Sequence, residues 1–176
     1  MKRLFLMLTL LISGVMFSQK MITRSGEIKF DATIPGAMDE VIGTSKTVSA
    51  LFDKTTGELV TQAMVKSFKF KSPLMEEHFN ENYMESDKLP KATFKGTVLA
   101  YDAKTGTYDL EGDLTIHGVT NKVKTKVTIS NDGQKLVLSA TFTVKLSDYK
   151  LSVPALAKKT LSETAKVTVK LPMENK

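Results

Sequence analysis

Two histidines, His78 and His117, carry the most versatile chemistry in this chain, set among plentiful carboxylates and with no cysteine anywhere. The lack of cysteine excludes thiolate zinc sites, cysteine nucleophiles and disulfides. The histidines fall on different segments, and neither has a second ligand at metal spacing. His78 has Glu77 beside it and Asn82 four residues on, but adjacent helical residues do not converge and Asn is a poor zinc ligand. No serine sits in a G-x-S-x-G elbow, so a hydrolytic triad would have to be assembled wholly by the fold. Asp109, Glu111 and Asp113 alternate along one stretch, which is the pattern of a solvated strand face and not of two carboxyls across a cleft. No glycine-rich phosphate cradle is present. These residues define no metal site, no cofactor site and no catalytic residue. His117 ends a strand-like run, nearer solvent than core, where a structural hydrogen bond is its expected role.

The elements that would position such groups read as strands. Tyr108, Leu110, Gly112, Leu114 and Ile116 share one face of a run whose other face is Asp109, Glu111, Asp113 and Thr115. Val123, Val127 and Ile129 alternate with lysines. Leu136, Leu138, Ala140, Phe142, Val144 and Leu146 form a long apolar face, and Ala165, Val167, Val169 and Leu171 another. Shorter runs include Ile28 with Phe30, Val48 with Ala50 and Phe52, Phe68 with Phe70, and Phe94 with Val98. Such alternation suits antiparallel sheet with one wet face. Glycine-bearing turns at Lys54–Gly57, Ala103–Gly106 and Asn131–Gly133 separate the runs. About eight strands in a meander are expected to close into a barrel, which removes their exposed edges.

Residues 72–84 break the pattern and predict one short helix. Ser72 can cap it, Pro73 fits its first position, and Glu76 and Glu77 suit the positive end of its dipole. Met75, Phe79 and Tyr83 recur every four residues. A single amphipathic helix inserted in a meander is expected to cover one barrel mouth.

The N-terminus has the build of a secretory signal peptide: Lys2 and Arg3, an apolar core from Leu4 to Ile12, then small residues to Ser18. Cleavage after Ser18 is expected, so that residues 1–18 are the signal and 19–176 a single domain in the periplasm or outside the cell. About 158 residues bury a substantial core without disulfides. The formal charge of +6 loses two with Lys2 and Arg3. The remaining lysines are scattered along strands, which favours a solvated face. They also suit transient contact with an anionic membrane surface. No nucleic-acid-binding motif is visible.

An eight-stranded barrel is just wide enough to be filled by its own side chains or to hold one ligand. Small inward residues (Ala50, Gly96, Gly112, Ala140) mixed with phenylalanines, nine in the chain and seven of them after Ser18, are compatible with either outcome.

Four stretches carry a family resemblance. Lys88-Leu-Pro-Lys-Ala-Thr-Phe94 followed by Gly112-Asp-Leu-Thr-Ile-His-Gly-Val-Thr120 resembles the YceI family, as do His78-Phe-Asn80 and Leu146-Ser-Asp-Tyr149. The last stretch is similar to the family's Arg-Ser-Asp-Phe-Gly. The resemblance implies an exported, lipocalin-like antiparallel barrel that carries polyisoprenoids or other long amphiphiles. Lipocalin-like describes architecture only, because the chain has neither the Trp nor the disulfides of true lipocalins. Two departures bear on a polar head group. The run Thr23–Phe30 lacks the histidines that many relatives carry there, and Leu146 stands where the family often has Arg.

The expected fold is therefore all-β, an antiparallel eight-stranded lipocalin-like barrel with one short helix over a mouth. Its expected ligand is a small-molecule lipid or isoprenoid. Phe30, Phe52, Phe68, Phe94, Leu110, Leu114, Leu138 and Phe142 are expected to line the cavity, and Leu74, Met75, Phe79 and Tyr83 to form the lid. Two rival readings stand beside this one: an enzyme using His117 or His78 on a lipid or quinone, and a partner-binding barrel with a filled core. The sequence leaves the oligomeric state open.

Overall fold

Each strand pairs with the next in chain order, and the last returns to the first, so the sheet has no free outer strand. The computed structural model describes residues 20–133, 135–153 and 159–176; the expected signal peptide lies outside them. The strands are β1 (Lys20–Thr33), β2 (Ile42–Asp53), β3 (Glu58–Met64), β4 (Lys91–Val98), β5 (Gly106–Ile116), β6 (Val119–Asp132), β7 (Lys135–Lys145) and β8 (Leu161–Asn175). All pairings are antiparallel, and β1 closes the barrel on β8 with Phe30 opposite Val167.

The two ends differ. One carries the short β2–β3, β4–β5 and β6–β7 connections. The other carries the longer β1–β2, β3–β4 and β7–β8 connections together with the tight β5–β6 turn. The β3–β4 connection holds α1 (Pro73–His78), which runs on as a wider π-helical turn over Phe79–Tyr83. Ser72 caps α1 by accepting from the Met75 amide, and Pro73 opens it, as expected. The regular α-helix is only half the expected length. Phe68 and Phe70, which read as a strand, instead follow a 3-10 turn at Val65–Ser67, and only Lys69 between them bridges to Thr44.

Alternation explains the walls. On β5 and β6 the outward residues pair acid against lysine directly across the ladder: Asp109 with Lys126, Glu111 with Lys124 and Asp113 with Lys122, at 2.5, 2.9 and 3.1 Å. Exposed pairs of this kind contribute little each, on the order of 0–1 kcal/mol. Their stronger effect is on register, because a one-residue slip would carry charges into the core.

One seam is incomplete. The β6–β7 ladder runs from Asp132↔Lys135 only to Val127↔Ala140. Beyond it β6 continues against β5, and β7 against β8, as far as Ile116↔Val119 and Lys145↔Thr164. The 3-10 turn Leu146–Tyr149 crosses this split. Asn121 donates to the Asp148 carbonyl at 2.7 Å, and the buried Tyr149 packs with Leu114, Val144 and Val123. Burial raises the Tyr149 phenol above its ordinary pKa.

A candidate apolar binding cavity

The inward faces of the strands do not meet at the axis. They enclose a cavity of about 180 Å³ whose wall is almost wholly aliphatic and aromatic. Its hydroxyl-bearing neighbours are Thr61, Thr93, Thr125 and Ser139, and among the described residues no charged one borders it. Apolar cavities of this size stay dry, and one of about 150 Å³ holds a benzene-sized guest.

Small and large inward residues interlock and still leave this space. A Cβ added at Gly96 or Gly112 would fall 2.5 or 2.6 Å from the Phe94 ring tip, so the ring tip occupies the space that side chains on this glycine pair in adjacent strands would take. Gly43 seats Phe30 and Phe70 in the same way. The glycines thus lower the wall to admit rings, and the rings stop short of the opposite wall.

The closed end is built in two layers. Leu59, Leu110, Leu138 and Leu171, the lining residues farthest from the helix on β3, β5, β7 and β8, are all buried to 5% exposure or less. Behind them lie Phe52, Ile129 and Met173, also buried. Phe52 makes an edge contact with Tyr101 at 5.3 Å between centroids, and Tyr101 a second with Tyr108 at 5.3 Å. Tyr108 donates to Asp102, a bond that pushes its phenol up to about 12.

The helix end is closed by aromatics. Phe79 stacks on Phe30 at 5.4 Å and lies 5.9 and 4.9 Å from Phe68 and Phe70. Phe30 in turn meets Phe68 and Phe70 at 5.6 and 5.7 Å. Outside this cluster a groove of about 790 Å³ runs between α1 and the β1–β2 and β7–β8 connections, and it shares Phe30, Phe79, Met84, Leu146, Leu151 and Ala165 with the cavity. The cluster therefore forms one side of the partition between vestibule and interior, and Leu146, Leu151 and Ala165 form the other.

Seven of the eight residues expected to line a cavity border this one: Phe30, Phe68, Phe94, Leu110, Leu114, Leu138 and Phe142. Phe52 does not. It faces inward as the alternation requires, but it sits below the leucine layer. Of the expected lid residues only Phe79 reaches the cavity. Met75 and Tyr83 border the vestibule, and Leu74 borders it while 59% exposed. The sequence reading missed β3 altogether, and with it the buried lining residues Leu59, Ala63 and, in the turn after it, Val65. A further interior residue it missed is Met84, buried at 6%. It follows the helical turn, where neither periodicity applies.

His117 is more enclosed than its position suggested, with its side chain 15% exposed. It occupies the β5–β6 turn with φ 50°, followed by Gly118 at 72°. Its Nε2 lies 3.3 Å from Glu85 Oε2, and its buried Nδ1 has no partner among the described residues. The Glu85 carboxyl is held below the usual glutamate range by Lys88 and then by His117. His78 is exposed at the end of α1. Among the described residues no group of three or more His, Cys, Asp and Glu converges as a metal site would.

A closed eight-stranded antiparallel barrel with an apolar interior is lipocalin-like in architecture. Residues 19–173 match the YceI-like domain, and the chain belongs to that family. Solved structures repeat the fold at low identity. A polyisoprenoid binding domain from Saccharophagus degradans, implicated in plant cell wall breakdown, superposes with a TM-score of 0.76 at 17% identity, over 90% of this chain and 99% of its own. Burkholderia cenocepacia BcnA gives 0.70 at 18%, over 83% and 94%. A Campylobacter jejuni YceI protein gives 0.64 at 20%, over 79% and 86%. In sequence, a UPF0312 protein of Pseudomonas putida strain W619 is 31% identical over 86 residues, 46% of this chain and 44% of that protein. The alignment thus spans less than half of that relative.

Proposed function

We propose that this protein is an exported carrier that holds one apolar chain, of isoprenoid or related lipid, inside the barrel. The carrying observation is the cavity itself, bordered by aliphatic and aromatic side chains and, among the described residues, by no charged group. Apolar burial drives such binding, at about 0.8 kcal/mol per buried CH₂. A wall of this kind gives no grip to a phosphate or carboxylate, so the polar end of an amphiphile stays in the vestibule or in water. The name of the Saccharophagus domain, which is polyisoprenoid binding, supports the same ligand class. Export is supported by Lys2, Arg3 and the apolar run after them. The reading assigns no catalytic role, since the described residues of the cavity wall include no acid, base or nucleophile beyond Thr and Ser hydroxyls.

Native mass spectrometry of protein taken from its own cells, with organic extraction of the same sample, tests this. A co-purifying prenyl or acyl chain in stoichiometric amount is expected. A protein that is ligand-free and takes up no added prenyl alcohol would overturn the proposal.

A further inference from the structure

The geometry points to a length limit on the bound chain, set by the leucine layer Leu59, Leu110, Leu138 and Leu171. This inference rests on the carrier reading above and adds to it a substrate range and the residues that fix it.

The cavity runs along the strands from Leu110 to Ile116 on β5 and from Leu171 to Ala165 on β8. About six residues at 3.3 Å each, tilted about 40° to the axis, give a bore on the order of 15 Å long. An extended peptide advances about 3.5 Å over three backbone bonds, so an extended carbon chain gains about 1.2 Å per bond. The bore therefore takes about twelve main-chain carbons, or three prenyl units of four main-chain carbons each. A volume of about 180 Å³ is less than three prenyl units occupy and excludes a chain doubled back on itself, so a single file enters only as side chains near the mouth move aside. The far end does not yield, because Phe52, Ile129 and Met173 are packed behind the leucines with 0–1% exposure. A longer chain must leave its remainder outside, where it gains no further burial in the bore.

Displacement of an apolar fluorescent probe by prenyl alcohols of one to five units reads this directly. Affinity should tighten about tenfold or more per unit while units are being buried, then level off near three units. Leu138→Ala deepens the bore and moves the plateau to a longer chain. Ala140→Leu, two residues nearer the mouth on the same inner face, fills the bore and moves it to a shorter one. The two variants change packing in opposite senses, so poor folding of one leaves the other as the test. Continued tightening to five units, or a plateau at one length in all folded proteins, overturns the length limit while leaving the carrier reading intact. Failure of every alcohol to displace the probe overturns the carrier reading and the limit together.

Discussion

Glu85 and His117 both hold left-handed backbone conformations, at φ 43° and 50°, and their side chains meet at 3.3 Å. Neither is glycine, and each such conformation costs roughly 1–2 kcal/mol. The bond ties the chain leaving the helical turn to the tip of the β5–β6 hairpin, and Leu89 packs against Gly118 beside it. A histidine that looks chemically interesting in the sequence thus serves as a turn residue and a tether. Two positive φ values at the centre of a two-residue hairpin normally call for Asn-Gly or Gly-Gly.

His117→Asn should therefore fold at least as well as the wild type, because Asn suits the left-handed position. His117→Ala should lose about 1 kcal/mol, since Ala lacks that tolerance. Both should bind apolar probes as the parent does. Thermal unfolding and probe titration check this, and a folded variant without binding would restore a direct role for His117.

The tether also sets an acid response at the mouth. Glu85 is held low first by Lys88 and then by His117, and Glu76 by a hydrogen bond from Lys69. A carboxylate whose folded pKa is depressed stabilises fully above its unfolded value, here 4.5, and that contribution is lost as pH falls through the lower folded value. Hydrogen exchange corrected for intrinsic rates should show residues 69–89 losing protection below pH 4.5 before the leucine layer does. Equal loss at both ends would show that these carboxylates hold nothing.

Alternation told which face the residues of seven strands take, and that made the barrel readable; β3 escaped it, because its inward Leu59, Thr61 and Ala63 make a weak apolar stripe. Alternation carries no information on height along the axis. That is why Phe52 looked like a lining residue and proves to lie behind the floor. The helix start was legible because Ser72 and Pro73 act locally. Its end was not, because a π-helical turn at Phe79–Tyr83 replaces the regular stripe and brings Met84 inside. The split between β6 and β7 leaves only a faint mark in the sequence: Asn121 and Thr125 interrupt the apolar face of β6 beyond Val127, while β7 keeps its alternation through Phe142 and Val144.

Gly112 shows what the wall tolerates. A Cβ there would fall 2.5 Å from the Gly96 Cα and the Lys95 carbonyl oxygen, both backbone atoms that cannot step aside. Gly112→Ala should lose about 1–3 kcal/mol by overpacking. Denaturant unfolding checks this, and a neutral result would mean that β4 and β5 shift apart readily.

Lys150 closes the turn that crosses the β6–β7 split, at φ 58° and ψ 24°. In the Arg-Ser-Asp-Phe-Gly stretch that this segment resembles, glycine holds that place. Lys150→Gly should relieve the left-handed cost and give back part of it as unfolded-state entropy, for a net gain of about 0.5 kcal/mol. A melting temperature about 1–2 °C higher is expected. A lower one would mean that the lysine side chain itself secures the turn.

Phe79 makes three of the five ring contacts that separate vestibule from cavity. Each such contact contributes about 0.5–1.5 kcal/mol beyond area, so removing them lowers the barrier to chain passage more than it weakens a chain already seated below. Phe79→Ala should release a bound apolar probe at least about tenfold faster, with a smaller change in affinity. Stopped-flow displacement measures both. Tyr149→Ala is the matched control, because it unplugs the β6–β7 split and leaves the mouth intact. If that variant accelerates release and Phe79→Ala does not, chains pass through the wall beside Tyr149 and the aromatic cluster is only a roof.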